Sequence, residues 1–577
     1  MNSYRTNYCL DITEEYIGKK IKVSGWVENI RDHGGVIFID LRDSSGILQL
    51  VSNDESVIDN VTKESTITVE GIVRKRDEDD YNLNIKTGTI EVLIDKLEII
   101  SKADILPFDI KSSTSVNEET RLKYRYLDLR NKKVKDNIIF RSKILSFLRN
   151  KMENLGFTEI QTPIISASSP EGARDFIVPS RKFKGKFYAL PQAPQIYKQL
   201  LMVAGFDKYY QIAPCFRDED GRSDRTLEFY QLDFEMSFAN EEDIYKIGEE
   251  IFYDTFSKFS DKTISPRPFR RIPYKEAMLK YGTDKPDLRN PLEIIDVTNL
   301  FENTEFKPFK KAIIRAIKVD DIGLNSNSWF NDIVEYASSI GMPGIGYITL
   351  LEDGTFKGPI DKFLDSKTKE DLINKTNMKT NSVLFFIANR KESTASKYAG
   401  LIRTYLGEKL DLIDKNHFEF CIINDFPMYE YNEELGKYDF GHNPFSMPQG
   451  GIKALDKNIE DILAYQYDFV CNGFEMASGA VRNHDINIME RAFELAGYKK
   501  EDVKERFKSL YTAFHFGAPP HAGMAPGIDR ILMLLKDEPN LREVQAFPTS
   551  VSGVDNMMGS PSELSEQQLR EVHIKIR

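Results

Sequence analysis

From Tyr230 to Met236 the sequence reads YQLDFEM, apolar and polar by turns. Successive side chains of a strand point to opposite faces. Gln231, Asp233 and Glu235 therefore line one face, and Tyr230, Leu232, Phe234 and Met236 the other. A sheet that contains this strand has one face to bury and one face that carries carboxylates. The residues just before it complete a run, CFRDEDGRSDRTLEFYQLDFEM, in which ten of twenty-two residues are charged. Such a run reads first as a solvated hairpin tip between two strands. Yet the charges continue into the second strand, and Arg217, Arg222 and Arg225 surround Glu219. The planar fork of arginine donates paired hydrogen bonds suited to phosphate. Carboxylates on a strand beside an arginine-rich loop could hold a polyanion and a cation together.

At 577 residues the chain is too long for one domain, and three or four are expected. Residues 1–105 carry five strand candidates: IKVSGWVENI, GVIFIDLRD, ILQLVS, STITVEGIVRKR and TIEVLIDKLEII. Turn signals such as Gly34-Gly35 and Ser45-Gly46 separate them. Five strands in about one hundred residues predict a small β-barrel of the OB-fold kind. Its strands carry Arg31, Phe38, Arg42, Gln49 and Arg74, a set suited to stacking on unpaired bases and bonding their edges. Phe38 reads equally as plain core. Residues 106–135 are polar and basic, and form a hinge.

Residues 136–157 have helical spacing at Ile139, Ile144, Leu145, Leu148 and Met152, ended by Gly156. FTEIQTPII follows as a strand, and Pro163 places it at an edge or interface. This texture runs from 136 to 290. Residues 291–420 differ. There AIIRAIKV, GIGYITL and SVLFFIA read as strands, and WFNDIVEYASSI and SKYAGLIRTYLGEKL as helices. That is a compact α+β insertion with no dense cluster of chemistry. Polar strands resume over 421–560, and 561–577 is a C-terminal tail. The fold class is multidomain α+β.

No apolar run reaches membrane-spanning length, and MNSYRTNYCLDITEEY lacks the apolar core of a signal peptide. Cys9, Cys215, Cys421 and Cys471 form no CxxC pair, which argues against zinc and against a disulfide framework. The cytoplasm is the expected compartment. Net charge is -12, so any contact with nucleic acid must use local basic patches.

Two more stretches carry chemistry. In YDFVCNGFEMASGAVR, Asn472-Gly473 signals a two-residue hairpin turn. An uninterrupted register then sets Cys471 against Phe474 and Asp468 against Ala477. Glu475 becomes the diagonal neighbour of Asp468 on one face. The pair reads as two exposed strand carboxylates or as ligands for Mg²⁺, a hard cation that prefers oxygen. In PPHAGMAPGIDRILMLL, Gly523 and Gly527 precede a helix that opens with Asp529 and Arg530, where backbone can approach a ligand closely and anions are favoured. The chain lacks a Walker GxxxxGK[ST] and a GxGxxG opening a βαβ unit, which disfavours the common nucleotide folds.

Taken together, FRDEDGRSDRTLEF and GMAPGIDR resemble motifs 2 and 3 of the class II aminoacyl-tRNA synthetases. The helix with FTEIQTPII resembles motif 1. PEGARDF, LPQAPQIYKQLLM, QLDFEMSF and GWVENIRDHGGVIFIDLRD are similar to the bacterial type of aspartyl-tRNA synthetase, nearly throughout the chain and in order. The resemblance implies an OB-fold anticodon-binding domain, an antiparallel-sheet catalytic domain and an inserted α+β domain. It implies a ligase that activates L-aspartate with ATP and Mg²⁺ and charges tRNA-Asp as a homodimer. Arg217 and Arg530 would be catalytic. ATP would meet Arg217, Asp218, Glu219, Glu475, Gly527, Ile528, Asp529 and Arg530, with Mg²⁺ on Asp468 and Glu475. Aspartate would meet Glu171, Gln195, Lys198, Arg217, Asp233, His442 and Arg482.

Arg31, His33, Phe38, Gln49 and Glu91 match anticodon-reading positions of that family. His33-Gly34 resembles the members that also charge tRNA-Asn, whereas those restricted to tRNA-Asp often carry leucine at the His33 position. The insertion supplies no group to this chemistry and is expected to be dispensable for adenylate formation. The rival readings are an asparaginyl- or lysyl-tRNA synthetase, a tRNA-independent asparagine synthetase and a non-catalytic RNA-binding relative. Lys198 with Arg482 argues for an anionic substrate side chain, the barrel for tRNA, and Arg217, Glu475 and Arg530 for catalysis.

Overall fold

A computed structural model describes residues 2–168 and 172–576. The chain divides into two compact units, 1–116 and 117–577. In the first, strands Lys20–His33, Val36–Arg42, Ile47–Ser52, Thr66–Lys75 and Ile90–Ser101 close a barrel. Closure comes from a parallel pairing of Leu50 with Val92, so no edge is left open. Ile37, Ile39 and Leu41 point inward beside Leu48 and Leu50, all wholly buried. Each such side chain contributes about 1.5–3 kcal/mol. The alternation sets Phe38 and Asp40 on the outer face, where Phe38 is only half-buried.

The second unit is built on an eight-stranded, mainly antiparallel sheet. Its order is Arg270–Pro273, Phe420–Asn424, Gln466–Cys471, Phe474–Val481, His521–Pro526, Glu228–Ser237, Lys208–Phe216 and Thr158–Glu159. One face is covered by helices Lys132–Asn154 and Glu241–Phe259. Ile144, Leu148 and Met152 meet Leu232, Phe234, Phe252 and Phe256 in one core. The first helix starts four residues before its apolar pattern, because Asn131 caps it by accepting from the Lys133 N–H at 2.9 Å. FTEIQTPII contributes only Thr158–Glu159, at the sheet edge. Pro163 and the exposed Ile164 and Ile165 lie beyond it.

The hairpin at Asn472-Gly473 forms with φ of 52° and 87°, the positive pair that a type I′ turn needs. Its register departs from the uninterrupted one. Cys471 faces Phe474 and Val470 faces Glu475, but Phe469 faces Ala477, and Asp468 faces Ser478 instead of Ala477. Met476 is the extra residue of a β-bulge. Glu475 lies on the near side of the bulge and remains the diagonal neighbour of Asp468.

The insertion is a five-stranded antiparallel sheet ordered Ile294–Asp296, Ile313–Val319, Val383–Asn389, Gly346–Leu350 and Phe356–Lys357. Its central run explains why SVLFFIA is continuously apolar. Val383, Phe385 and Ile387 pack against one set of side chains and Leu384 and Phe386 against another, so both faces are covered. Arg403, on helix Glu392–Lys409, is buried and donates to the carbonyls of Asp287 at 3.0 Å and Asn290 at 2.7 Å. The root of the insertion is thereby tied to the 282–290 loop.

Candidate active site

The carboxylate face of the Glu228–Ser237 strand is not solvated. Asp233 and Glu235 are both fully buried. Lys198, from helix Gln195–Val203, donates to Asp233 at 2.6 Å and lies 3.4 Å from Glu235. Arg482, just past the bulged strand, grips Glu235 through Nε at 2.8 Å and Nη2 at 3.2 Å. Burial raises the Asp233 pKa, and the nearby Lys198 charge offsets this only in part. Burial also works on Glu235, but there Arg482 and Lys198 prevail and its pKa is lowered. The quartet thus holds two cations against one firmly ionised carboxylate and one pushed towards neutrality. The second oxygen of Asp233 is buried without a hydrogen-bond partner.

In front of this quartet opens a cavity of about 360 Å³, on whose wall Arg482 stands. Gln195, Arg217, Glu219, His442, Asp468, Glu475, Gly527, Asp529 and Arg530 line the same cavity. Sequence-distant candidates therefore converge on one space. Arg217 lies over the Phe229 ring at 4.9 Å, and its buried Nε has no acceptor. A guanidinium seated over an aromatic ring with a spare donor fits a phosphate oxygen. Arg530 donates to the Glu475 carbonyl at 2.7 Å, and Glu219 pairs with Arg225 at 2.6 Å. His442 packs edge-on against Phe426 at 4.9 Å, and burial lowers its pKa.

Asp468 is buried, and its Oδ1 has no hydrogen-bond partner. Burial, and then the charge of Glu475, push its pKa up to about 8. A buried carboxylate oxygen without a hydrogen-bond partner, beside a second carboxylate, fits a divalent ion. Lys285 lies 3.4 Å from Glu475 and donates to its neighbour Asp284 at 2.7 Å. It was not legible in advance, because it belongs to none of the three motifs. Its one signal is a lysine set between Asp284 and Pro286, at the entry to the insertion.

Three candidates sit differently. Asp529 accepts from the Tyr230 N–H at 3.0 Å and pairs with Arg141, so its carboxylate locks the helix Ile528–Leu535 to the strand. The Ile528 side chain belongs to the core and offers a ligand only its backbone. Asp218 faces a neighbouring groove with Asp220 and Arg222. Glu171 lies outside the described residues. Behind the quartet, His521 meets Gln199 at 3.0 Å and the Pro519 carbonyl at 2.8 Å.

On the barrel, Arg31 donates to Asp40 at 2.8 Å and Gln49 at 3.2 Å. Gln49 donates to Glu91 at 2.8 Å, which also accepts from Arg74 at 2.7 Å. His33 meets Phe38 edge-on at 5.7 Å. The half-buried Phe38 beside this polar network leaves a ring face suited to base stacking.

The family described as "tRNA synthetases class II (D, K and N)" matches residues 117–551, and the "OB-fold nucleic acid binding domain" matches residues 21–100. The chain is 53% identical over 588 residues to "Aspartate--tRNA(Asp/Asn) ligase" of Ehrlichia ruminantium strain Gardel, covering 100% of this chain and 99% of that relative. It is 51% identical over 592 residues to the ligase of the same name from Rickettsia felis, covering 100% and 98%. Among solved structures, a putative aspartyl-tRNA synthetase from Leishmania major Friedlin has a TM-score of 0.58 at 20% identity, covering 95% of this chain and 94% of that one. Asparaginyl-tRNA synthetase from Pyrococcus horikoshii, complexed with asparaginyl-adenylate, gives 0.57 at 18%, covering 94% and 97%. Those two likenesses concern the fold. With a family match over most of its length and full-length relatives at half identity, the chain belongs to the class II tRNA synthetases of the D, K and N group.

Proposed function

We propose that the enzyme activates L-aspartate with ATP and transfers it to tRNA-Asp and tRNA-Asn. The observation that carries this reading is the buried Lys198–Asp233–Glu235–Arg482 quartet, which presents Arg482 to a cavity that also holds Arg217. A substrate side-chain carboxylate meets a guanidinium there. A lysine substrate would set its ammonium against Arg482, and an asparagine amide would gain nothing from that charge. The names of the full-length relatives agree.

The substrate α-carboxylate attacks the α-phosphorus of ATP, and pyrophosphate leaves. The free Nε of Arg217 suits an α-phosphate oxygen, where charge accumulates in the transition state. Arg530, held on the Glu475 carbonyl, offers its remaining donors to the nucleotide. Asp468 and Glu475 would hold Mg²⁺, which neutralises phosphate charge. The terminal ribose hydroxyl of tRNA then attacks the aspartyl-adenylate carbonyl and AMP leaves, so no protein nucleophile is required. His442 lies at the cavity wall, placed to cover the amino acid.

The barrel reads the anticodon through Arg31, His33, Phe38, Gln49 and Glu91. The enzyme acts as a homodimer in the cytoplasm. The edge position of Thr158–Glu159 with exposed Ile164 and Ile165 supports the dimer. Among the described residues no helix is long and apolar enough to cross a membrane. The test is ATP–pyrophosphate exchange with aspartate, asparagine and lysine, with and without tRNA. Exchange that depends on aspartate alone is expected. Exchange driven equally by asparagine would overturn the pocket assignment.

A further inference from the structure

Lys285 belongs to none of the three motifs, yet its ammonium lies 3.4 Å from Glu475 of the acid pair. Its backbone is fixed. At Gly282 a Cβ would lie 2.2 Å from the Ser396 carbonyl oxygen, so that loop packs directly on helix Glu392–Lys409. Arg403 holds the Asp287 and Asn290 carbonyls a few residues on. The side chain is tethered only to its own neighbour, donating to Asp284 at 2.7 Å. It is 34% exposed and lies 3.4 Å from Glu475, on the wall of the cavity that contains Arg217 and Arg530. A half-open ion pair of this length adds little to stability. Meanwhile Asp468 keeps a buried oxygen with no hydrogen-bond partner. The ammonium thus serves the carboxylates electrostatically without saturating them. A compact charge on a flexible four-carbon stem suits a group that must change partners.

Resting on the proposed use of ATP, we propose that Lys285 is a further ATP-phosphate-binding residue with two positions. In the nucleotide-free enzyme its ammonium offsets the charge of Asp468 and Glu475. When ATP enters, it turns to the β- and γ-phosphates and yields the carboxylates to the divalent ion. It thereby meets the leaving pyrophosphate and makes no contact specific to the adenosine monophosphate moiety. The loop that carries it is the root of the insertion, which gives the insertion a physical route to the nucleotide.

The experiment compares Lys285→Met and Lys285→Arg with wild type. Labelled ATP and AMP are titrated by equilibrium dialysis, and Mn²⁺ is titrated onto nucleotide-free enzyme by electron paramagnetic resonance. Lys285→Met is expected to weaken ATP at least tenfold while leaving AMP within twofold. It should tighten nucleotide-free Mn²⁺ binding at least threefold, since the competing ammonium is gone. Lys285→Arg should restore most of the ATP affinity, which separates lost charge from lost folding. An ATP-to-AMP affinity ratio that does not move, or Mn²⁺ binding that is unchanged or weaker, overturns the proposal. Wild-type enzyme that binds neither nucleotide would overturn the functional reading itself, and this proposal with it.

Discussion

Lys198 and Arg482 are not bare cations awaiting an anion; each is already paired inside the protein. Removing one partner of a buried pair leaves the other uncompensated, at a cost of about 3–5 kcal/mol. Lys198→Met should therefore lower aspartate-dependent exchange by roughly a thousandfold and also lower the melting temperature, because Asp233 loses its partner. Exchange within tenfold of wild type would remove Lys198 from the pocket. His521 gives a second residue-scale prediction. Burial lowers its pKa from the ordinary 6.5 to about 4. The unfolded chain therefore takes up this proton first as pH falls. The resulting stability is fully present above about pH 6.5 and is lost on the way down to about pH 4. Between pH 7 and pH 5 that loss is about 2 kcal/mol. His521→Gln should flatten the pH dependence of urea unfolding by about that amount relative to wild type. Parallel slopes for the two proteins would contradict the burial account.

At the scale of elements, the site depends on how closely three strands approach. A Cβ at Gly523 would lie 2.2 Å from the Glu235 carboxylate and 2.2 Å from the Phe234 carbonyl oxygen. Gly523→Ala must displace the carboxylate that holds Arg482, and overpacking of this kind costs about 1–3 kcal/mol. The variant should lose stability in urea and raise the KM for aspartate at least fivefold. An unchanged KM would show that Glu235 does not position Arg482. Sequence pattern reached part of this arrangement. The alternation of YQLDFEM placed Leu232 and Phe234 correctly in the core, and Asn472-Gly473 specified its turn through two positive φ values. The bulge at Met476 carries no glycine or proline to announce it, so the register beyond it was misread. Glu235 stood on the polar face in plain view, but its partner Arg482 is 247 residues away, and only the closed sheet joins them. Lys285 was hidden for the same reason. Its meaning lies in Glu475, which another segment supplies.

At the scale of the whole molecule, the insertion and the barrel each alter an expectation drawn from the catalytic motifs alone. None of the candidate site residues read from the motifs lies in the insertion, yet its Arg403 holds the loop that carries Lys285. Replacing 291–420 by a short linker should therefore lower pyrophosphate exchange at least tenfold in a folded protein, chiefly through the KM for ATP. Full exchange would show that the loop keeps its position unaided. On the proposed reading, the barrel decides which tRNA is charged. The anticodons of tRNA-Asp and tRNA-Asn differ only at the third base, C against U, so discrimination rests on few contacts. Each good base contact is worth about 1–3 kcal/mol. His33 is exposed and lies edge-on to Phe38 at 5.7 Å, beside the paired Arg31. An imidazole there can donate or accept, and so tolerates either base, whereas a leucine would leave the wrong base with an unpaired polar edge. Wild-type enzyme should aspartylate tRNA-Asp and tRNA-Asn with kcat/KM values within about tenfold, roughly 1.4 kcal/mol. His33→Leu should shift that ratio towards tRNA-Asp by about another tenfold while leaving tRNA-independent pyrophosphate exchange unchanged. The measurement is aminoacylation of both purified tRNAs with labelled aspartate at matched concentrations. A wild-type preference beyond about a thousandfold, roughly 4 kcal/mol, would mean that the barrel discriminates through contacts other than His33.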